Sequence, residues 1–262
     1  MPARCGPGGP KRLNRGPPIP GAMAGLIGLT SGDIDLQDAL QAPRWKHEGA
    51  WIPHPVVRLS TTLPVAVTEP DGVRAIVRAR WGFPLGGGRP VGNARDDKLL
   101  ESRLWSGMLA KSPCLVAATG IYEMTVDAAG AKSSFWFRRR DGRPIVMPGL
   151  ASPRNLDAEA RLCCAIVTTK PSPFFAQFHD RQVCALDRRE ADAWMAEADP
   201  ERAVKLLRAP GNDEWEAVPV DGRIFKPGRV ETEHLIETGP ALRWGEAAPP
   251  KKPRPGTLDR WS

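Results

Sequence analysis

The sequence is poor in the residues that would announce several common chemistries. It has one tyrosine and four histidines among 262 residues, and its five cysteines (Cys5, Cys114, Cys163, Cys164, Cys184) include no C-x-x-C pair. With no histidine at ligand spacing either, a metal site is not expected. No apolar run approaches the roughly 18 residues of a membrane span. The first residues lack the apolar stretch of a secretory signal, so neither a membrane partner nor export is expected. The loop from Gly82 to Gly88 is glycine-rich but lacks the Lys-Ser/Thr of a phosphate-cradling P-loop. Three cysteines lie in apolar, strand-like runs where buried free thiol is the expected state, which fits a reducing, cytoplasmic setting.

What is present is 28 prolines, 26 glycines and nine tryptophans, a composition of many loops and short strands rather than a helical bundle. Lys and Arg outnumber Asp and Glu by 37 to 30, a net charge of +7. That excess is compatible with a nucleic-acid partner, although part of it lies in the ends of the chain. Residues 1–22 are rich in Pro, Gly and Arg with no hydrophobic period, and read as a disordered extension. A single domain is expected over residues 23–238, followed by a basic, Pro-rich tail over 239–262. Met23 stands where translation of the domain itself would start.

Within the domain, Ser31 to Leu40 reads as a short helix with Ser31 or Asp33 near its N-cap. Val56–Leu59, Leu63–Val67 and Val73–Trp81 read as strands, the last two joined by a turn at Glu69-Pro70-Asp71-Gly72. Asp96 to Leu109 has the spacing of one amphipathic helix. Cys114 to Met124 reads as one apolar strand with a carboxylate, Glu123, near its end; a buried acid is costly unless paired, and such positions are enriched in function. Ser134–Phe137 and Pro144–Met147 look like a hairpin turning at Asp141-Gly142. Arg161–Thr169, Val183–Leu186 and Trp215–Val220 are further strands, with helices expected over Arg188–Glu197 and Pro200–Arg208.

The segment Phe174 to Arg181, hung between two apolar strands, stands out as a place for reactive groups. His179 there lies beside an acid and a base, and imidazole titrates nearest neutral pH, which suits proton transfer. The same His-Asp-Arg triplet also occurs simply as a salt-bridged loop.

Three separated fragments, Gly92-Asn93-Ala94-Arg95, Gly120-Ile121-Tyr122-Glu123 and Phe178-His179-Asp180-Arg181, occur in an order that resembles the SRAP family, the SOS response-associated peptidases. Arg80-Trp81-Gly82, Gly142-Arg143-Pro144-Ile145, Ala193-Trp194-Met195 and the late Val218-Pro219-Val220 add to the resemblance, which covers roughly residues 23 to 238. It implies a β-rich α+β fold, a distorted β-barrel flanked by a few helices. It also implies a monomeric sensor of abasic sites in single-stranded DNA, nucleoid-associated when bound, that uses no cofactor. Such a protein cross-links to the lesion through its mature N-terminus after autoproteolytic release of the initiator Met.

By the same resemblance Asn93 positions the N-terminal residue, Glu123 handles protons, and His179 opens the deoxyribose ring. Arg95 and Arg181 hold phosphates, a task suited to guanidinium geometry. Thr168 donates a hydrogen bond near the site. Trp81 lies near the DNA groove or in the core, the core being favoured for a lone aromatic.

The chain departs from the family at its start. The family opens Met-Cys-Gly, with the cysteine thiolate closing a thiazolidine after the α-amine meets the sugar aldehyde. Here Met23-Ala24-Gly25 occupies that place, so Ala24 stands where the nucleophilic Cys is expected. Cys5 is the alternative, but it needs processing and an electropositive setting. The competing expectations are a single-strand binder without catalysis and, less favoured for want of a second His and of ligand spacings, a cysteine or metal hydrolase.

Overall fold

The computed structural model describes residues 25–46, 49–84, 90–126, 130–153, 162–228 and 235–246. Its strands are β1 (Leu26–Leu29), β2 (Arg44–Trp45), β3 (His54–Arg58), β4 (Thr62–Thr68), β5 (Arg74–Trp81), β6 (Asn93–Arg95), β7 (Pro113–Ala118), β8 (Gly120–Val126), β9 (Lys132–Arg139), β10 (Ile145–Pro153), β11 (Leu162–Thr169), β12 (Gln182–Val183) and β13 (Trp215–Val220). The helices are α1 (Asp33–Leu40), α2 (Ser106–Leu109), α3 (Arg188–Ala196) and α4 (Pro200–Lys205).

Five strands close on themselves. β11 pairs with β10, β10 with β7, β7 with β4, β4 with β5, and β5 returns to β11 in a parallel pairing. Closure removes the free edges that an open sheet would expose. A second sheet, ordered β13-β9-β8-β1-β3, lies against the barrel, with β1 packing near β7. The fold is therefore β-rich α+β, a distorted barrel with few helices. The barrel strands β7 and β11 are buried almost throughout; for β7 the interior lies on one side and α1, α3 and β1 cover it from outside. That double burial is why both read as continuous apolar runs rather than alternating ones.

One continuous run in the sequence is two strands. Cys114 to Met124 divides at Thr119, where the chain leaves the barrel and enters the second sheet. The Thr119 amide donates to the Gly28 carbonyl at 2.7 Å, and Gly120 begins β8 against β1. Both halves are buried, so hydrophobicity carries no sign of the break. The expected hairpin is likewise absent. β9 pairs with β8 and β13, whereas β10 pairs with β7 and β11. The turn at Gly142, with φ of +74°, is real, but the chain uses it to cross between sheets.

The expected long helix over Asp96 to Leu109 is broken into a 3-10 turn at Asp96–Lys98, a stretch of turns and the short α2. Ser102 is one reason, since its hydroxyl takes the Leu104 amide at 3.2 Å and competes with the helical pattern. The apolar face nonetheless turns inward, with Leu99, Trp105 and Leu109 buried, while Leu100 is exposed. α1 begins after Gly32 without a side-chain cap. Asp33 instead accepts the Trp51 amide at 2.8 Å.

Packing continues past residue 238. Ala217 and Leu242 exchange two hydrogen bonds, and Arg243 grips buried Glu216. The segment 235–246 thus covers the outer edge of β13. Residues 1–22, Ala24 and the rest of the basic tail lie outside the described residues. So does Cys5; the other four cysteines are buried free thiols.

Candidate functional site

Four elements converge where β1 starts. Ile27 pairs with Ile121 and Gly28 with Gly120. Continuing that antiparallel register toward the N-terminus brings Gly25 level with Glu123. On its other side the Gly25 carbonyl accepts the Leu59 amide at 2.8 Å. Leu59 also packs against the backbone of Gly92, so closely that a β-carbon there would lie 2.2 Å from its Cδ1. Gly92 is the residue before Asn93. The beginning of β1 is therefore flanked by the Glu123 strand and, through Leu59, by the Asn93 strand. Glu123 is buried, 1% exposed. Ala24, the residue before Gly25, lies outside the described residues.

Asn93 reaches this place because β5 and β6 use the same edge of β11 in succession. Trp81 pairs with Cys164, and Asn93 with Ile166. The chain between makes an excursion pinned at its base by reciprocal Phe83–Val91 hydrogen bonds at 3.0 Å. Residues 85–89 of that glycine-rich loop lie outside the described residues. Trp81 itself is 2% exposed and donates its indole N–H to the Gly92 carbonyl at 2.8 Å. A stacking platform needs an open ring face, so the DNA-contact role considered for Trp81 gives way to a packing role beneath the Asn93 strand.

The His179 loop is held by aromatic packing. Five of the chain's seven phenylalanines meet here. Phe175 packs against Phe137 at a tilt of 41° with centroids 4.4 Å apart, and Phe178 meets Phe135 edge-on at 5.0 Å. Phe135 is the β9 partner of Glu123, so the ring next to His179 rests on the strand position next to Glu123. Polar ties complete the hold. The buried Gln182 side chain accepts the Ser172 amide at 2.9 Å, and Asn212 accepts the Phe174 amide at 2.9 Å.

His179 is 6% exposed. Its Nδ1 lies 3.0 Å from the Arg181 amide and 3.0 Å from an Asp180 carboxylate oxygen. Burial lowers the imidazole pKa below 6.5 and outweighs the opposing pull of Asp180. Nδ1 also lies 3.2 Å from the Arg181 carbonyl oxygen, so it faces one donor and two acceptors and can carry the ring proton or accept one. Nε2 is then the ring nitrogen left to exchange a proton with a bound molecule.

The two arginines expected to act alike do not occupy alike positions. Arg181 is turned inward, its side chain 12% exposed. Its Nη2 donates to Asp96 at 2.8 Å, to the Thr168 carbonyl, and to the Thr168 hydroxyl at 3.2 Å. It ties the His179 loop to β11 and to the turn after β6. The Thr168 hydroxyl in turn donates to Ala94 at 3.4 Å. Arg95 faces outward, 57% exposed at its side chain, and is paired with Asp97. No cluster of three or more metal-binding side chains occurs among the described residues, and no helix among them is long and apolar enough to cross a membrane.

Residues 23–227 match the family described as SOS response associated peptidase (SRAP). The chain belongs to this family. It is similar to the abasic site processing protein YobE of Bacillus subtilis, 24% identical over 219 residues that span 80% of this chain and all of that one. The abasic site processing protein YoqW of Bacillus subtilis is 24% identical over 225 residues, 82% of this chain and all of that one. Among solved structures, a phage-related protein from Bordetella bronchiseptica superposes with a TM-score of 0.62 at 23% identity, covering 75% of this chain and 93% of that one. A protein from Bacteroides thetaiotaomicron gives a TM-score of 0.61 at 15% identity, covering 78% of this chain and 97% of that one. These two likenesses are of fold.

Several residues that build this SRAP site escaped the sequence reading. Leu59, Gln182, Asn212 and Phe135 act through packing or single hydrogen bonds from distant parts of the chain. The only signal for any of them was the density of phenylalanine in Phe135-Trp136-Phe137 and Phe174-Phe175-Ala176-Gln177-Phe178.

Proposed function

We propose that this SRAP protein processes abasic sites in single-stranded DNA by forming a covalent bond between the α-amine of its mature N-terminal residue and the aldehyde of the opened deoxyribose. The observation that carries the reading is that the Glu123 strand lies beside the Gly25 end of β1 while the His179 loop rests on Phe135, the strand partner of Glu123. Membership of the family and the names of the related proteins support the choice of substrate.

In this scheme His179, its own proton on the Nδ1 that faces Asp180, takes the C1-hydroxyl proton at Nε2 and delivers it to the ring oxygen as the bond between that oxygen and C1 breaks, which yields the aldehyde and restores the neutral ring. The amine nitrogen then attacks the aldehyde carbon. A C–N bond forms, the carbonyl oxygen takes up protons and leaves as water, and an imine results. Glu123, buried beside the start of β1, accepts the ammonium proton and returns it to the departing oxygen; such proton handling is commonly worth about 10²–10⁴ in rate. Asn93 orients the amine, and Arg95 receives a phosphate flanking the lesion. Arg181 serves as the brace of the His179 loop rather than as a phosphate contact.

Autoproteolytic release of the residues through Met23 would free the amine of Ala24. Alanine has no thiol to close a thiazolidine, so the product stays an imine that water reverses. Cys5 would supply a thiol only if processing placed it at the mature terminus. A second reading, a single-strand binder without catalysis, is favoured by the same alanine. The two are separated by incubating the protein with single-stranded DNA carrying one abasic site, with and without borohydride. A borohydride-dependent band on a denaturing gel supports the imine. Salt-sensitive binding with no covalent product in either lane supports the binder.

A further inference from the structure

Resting on the reading of Arg95 as a phosphate contact, we infer that Asp97 is a built-in competitor of DNA phosphate, its carboxylate occupying the guanidinium edge that a backbone phosphate would take. Arg95 Nε donates to Asp97 Oδ1 at 3.0 Å and Nη2 to Oδ2 at 2.7 Å, two parallel bonds of the kind guanidinium also makes to phosphate. Both groups face solvent, with side-chain exposures of 57% and 40%. Exposed pairs of this kind are weakly held, so an incoming anion can displace the carboxylate.

The placement is specific to this arginine. Arg181 is held from inside by Asp96, and Asp97 reaches it only at 3.6 Å. Asp97 is itself aimed by its own amide, which donates to Asp96 at 2.8 Å. The Asp96-Asp97 pair following Arg95 thus divides its work: one carboxylate braces the His179 loop, and the other covers the outward cation. Binding then exchanges one carboxylate for one phosphate at Arg95, which weakens association with undamaged strands.

A double-mutant cycle on the full chain tests this, with wild type, Arg95→Gln, Asp97→Asn and the double variant titrated against a fluorescent, undamaged single-stranded oligonucleotide at low salt. Asp97→Asn is isosteric and leaves the brace of Arg181 by Asp96 in place. The expected result is that Asp97→Asn tightens binding by about 1.5-fold to fivefold, the range of one exposed charge pair. Arg95→Gln should weaken the wild type less than about twofold but the Asp97→Asn protein by about threefold or more, the non-additivity that marks a direct pair. Additive effects in proteins that all bind the oligonucleotide overturn the inference and leave the proposed function standing. No binding by any of the four overturns both.

Discussion

Phe178 meets Phe135 edge-on with ring centroids 5.0 Å apart, and through that contact the loop of His179 is set over the strand pair that carries Glu123. The contact joins the barrel, from which the loop springs, to the second sheet, to which Phe135 belongs. Replacing Phe178 by alanine should remove about 3–5 kcal/mol of stability by opening a buried void. Phe178→Leu keeps most of the apolar volume and should forfeit mainly the edge contact, about 0.5–1.5 kcal/mol. Urea unfolding gives both values. The leucine variant should remain folded yet lose borohydride-trapped product, because His179 shifts with the loop.

Gly120 has no room for a side chain. A β-carbon there would lie 1.5 Å from Trp136 Nε1, and the indole also neighbours the Tyr122 ring and the Arg138 guanidinium. Gly120→Ala should cost about 1–3 kcal/mol or more through forced displacement of the ring. The same change in a Trp136→Leu background should cost much less, since the leucine leaves the space open. Equal costs in the two backgrounds would show that the glycine is required for another reason.

His179 gives a pH signature with a definite sign. Its pKa is lowered in the folded protein by burial, against 6.5 in the unfolded chain. The unfolded state therefore binds the proton first as the pH falls. The stability tied to the neutral ring is fully present above about 6.5 and is lost as the pH drops from there through the lowered native value. Wild type should lose stability relative to His179→Gln between pH 8 and pH 5, read from urea midpoints at each pH. A constant difference across that range contradicts a buried neutral imidazole.

Glu123→Gln removes a buried carboxylate while keeping its shape, so the fold should survive, as far-ultraviolet circular dichroism would show. If Glu123 handles protons, the rate of trapped-product formation should fall by about 10²–10⁴. Loss of folding with loss of product would instead mark a structural acid.

Much of this was legible in the sequence where local pattern and tertiary role coincide. The strands at Arg74–Trp81 and Trp215–Val220 and the helix at Arg188–Ala196 match the expected segments to within a residue, while the Asp187–Glu190 capping box that opens the helix emerged only in the structure. What escaped was pairing. Nothing between Phe137 and Ile145 says that the two strands part to different sheets, and Thr119 interrupts an apolar run without changing its hydrophobicity. For the candidate site, the fragments single out Asn93, Glu123 and His179 in the sequence. Their supports could not be found this way, because Leu59 and Asn212 are ordinary residues until the barrel closes. Arg95 and Arg181 were indistinguishable in sequence; only the fold turns one outward and the other in.

The most direct test is borohydride trapping on abasic single-stranded DNA, followed by mass spectrometry of the linked peptide to locate the attached residue. The account predicts a reduced adduct on the α-amine of Ala24, present with borohydride, lost on denaturation without it, and strongly diminished in Glu123→Gln. An adduct on a lysine side chain, or none at all, would contradict it.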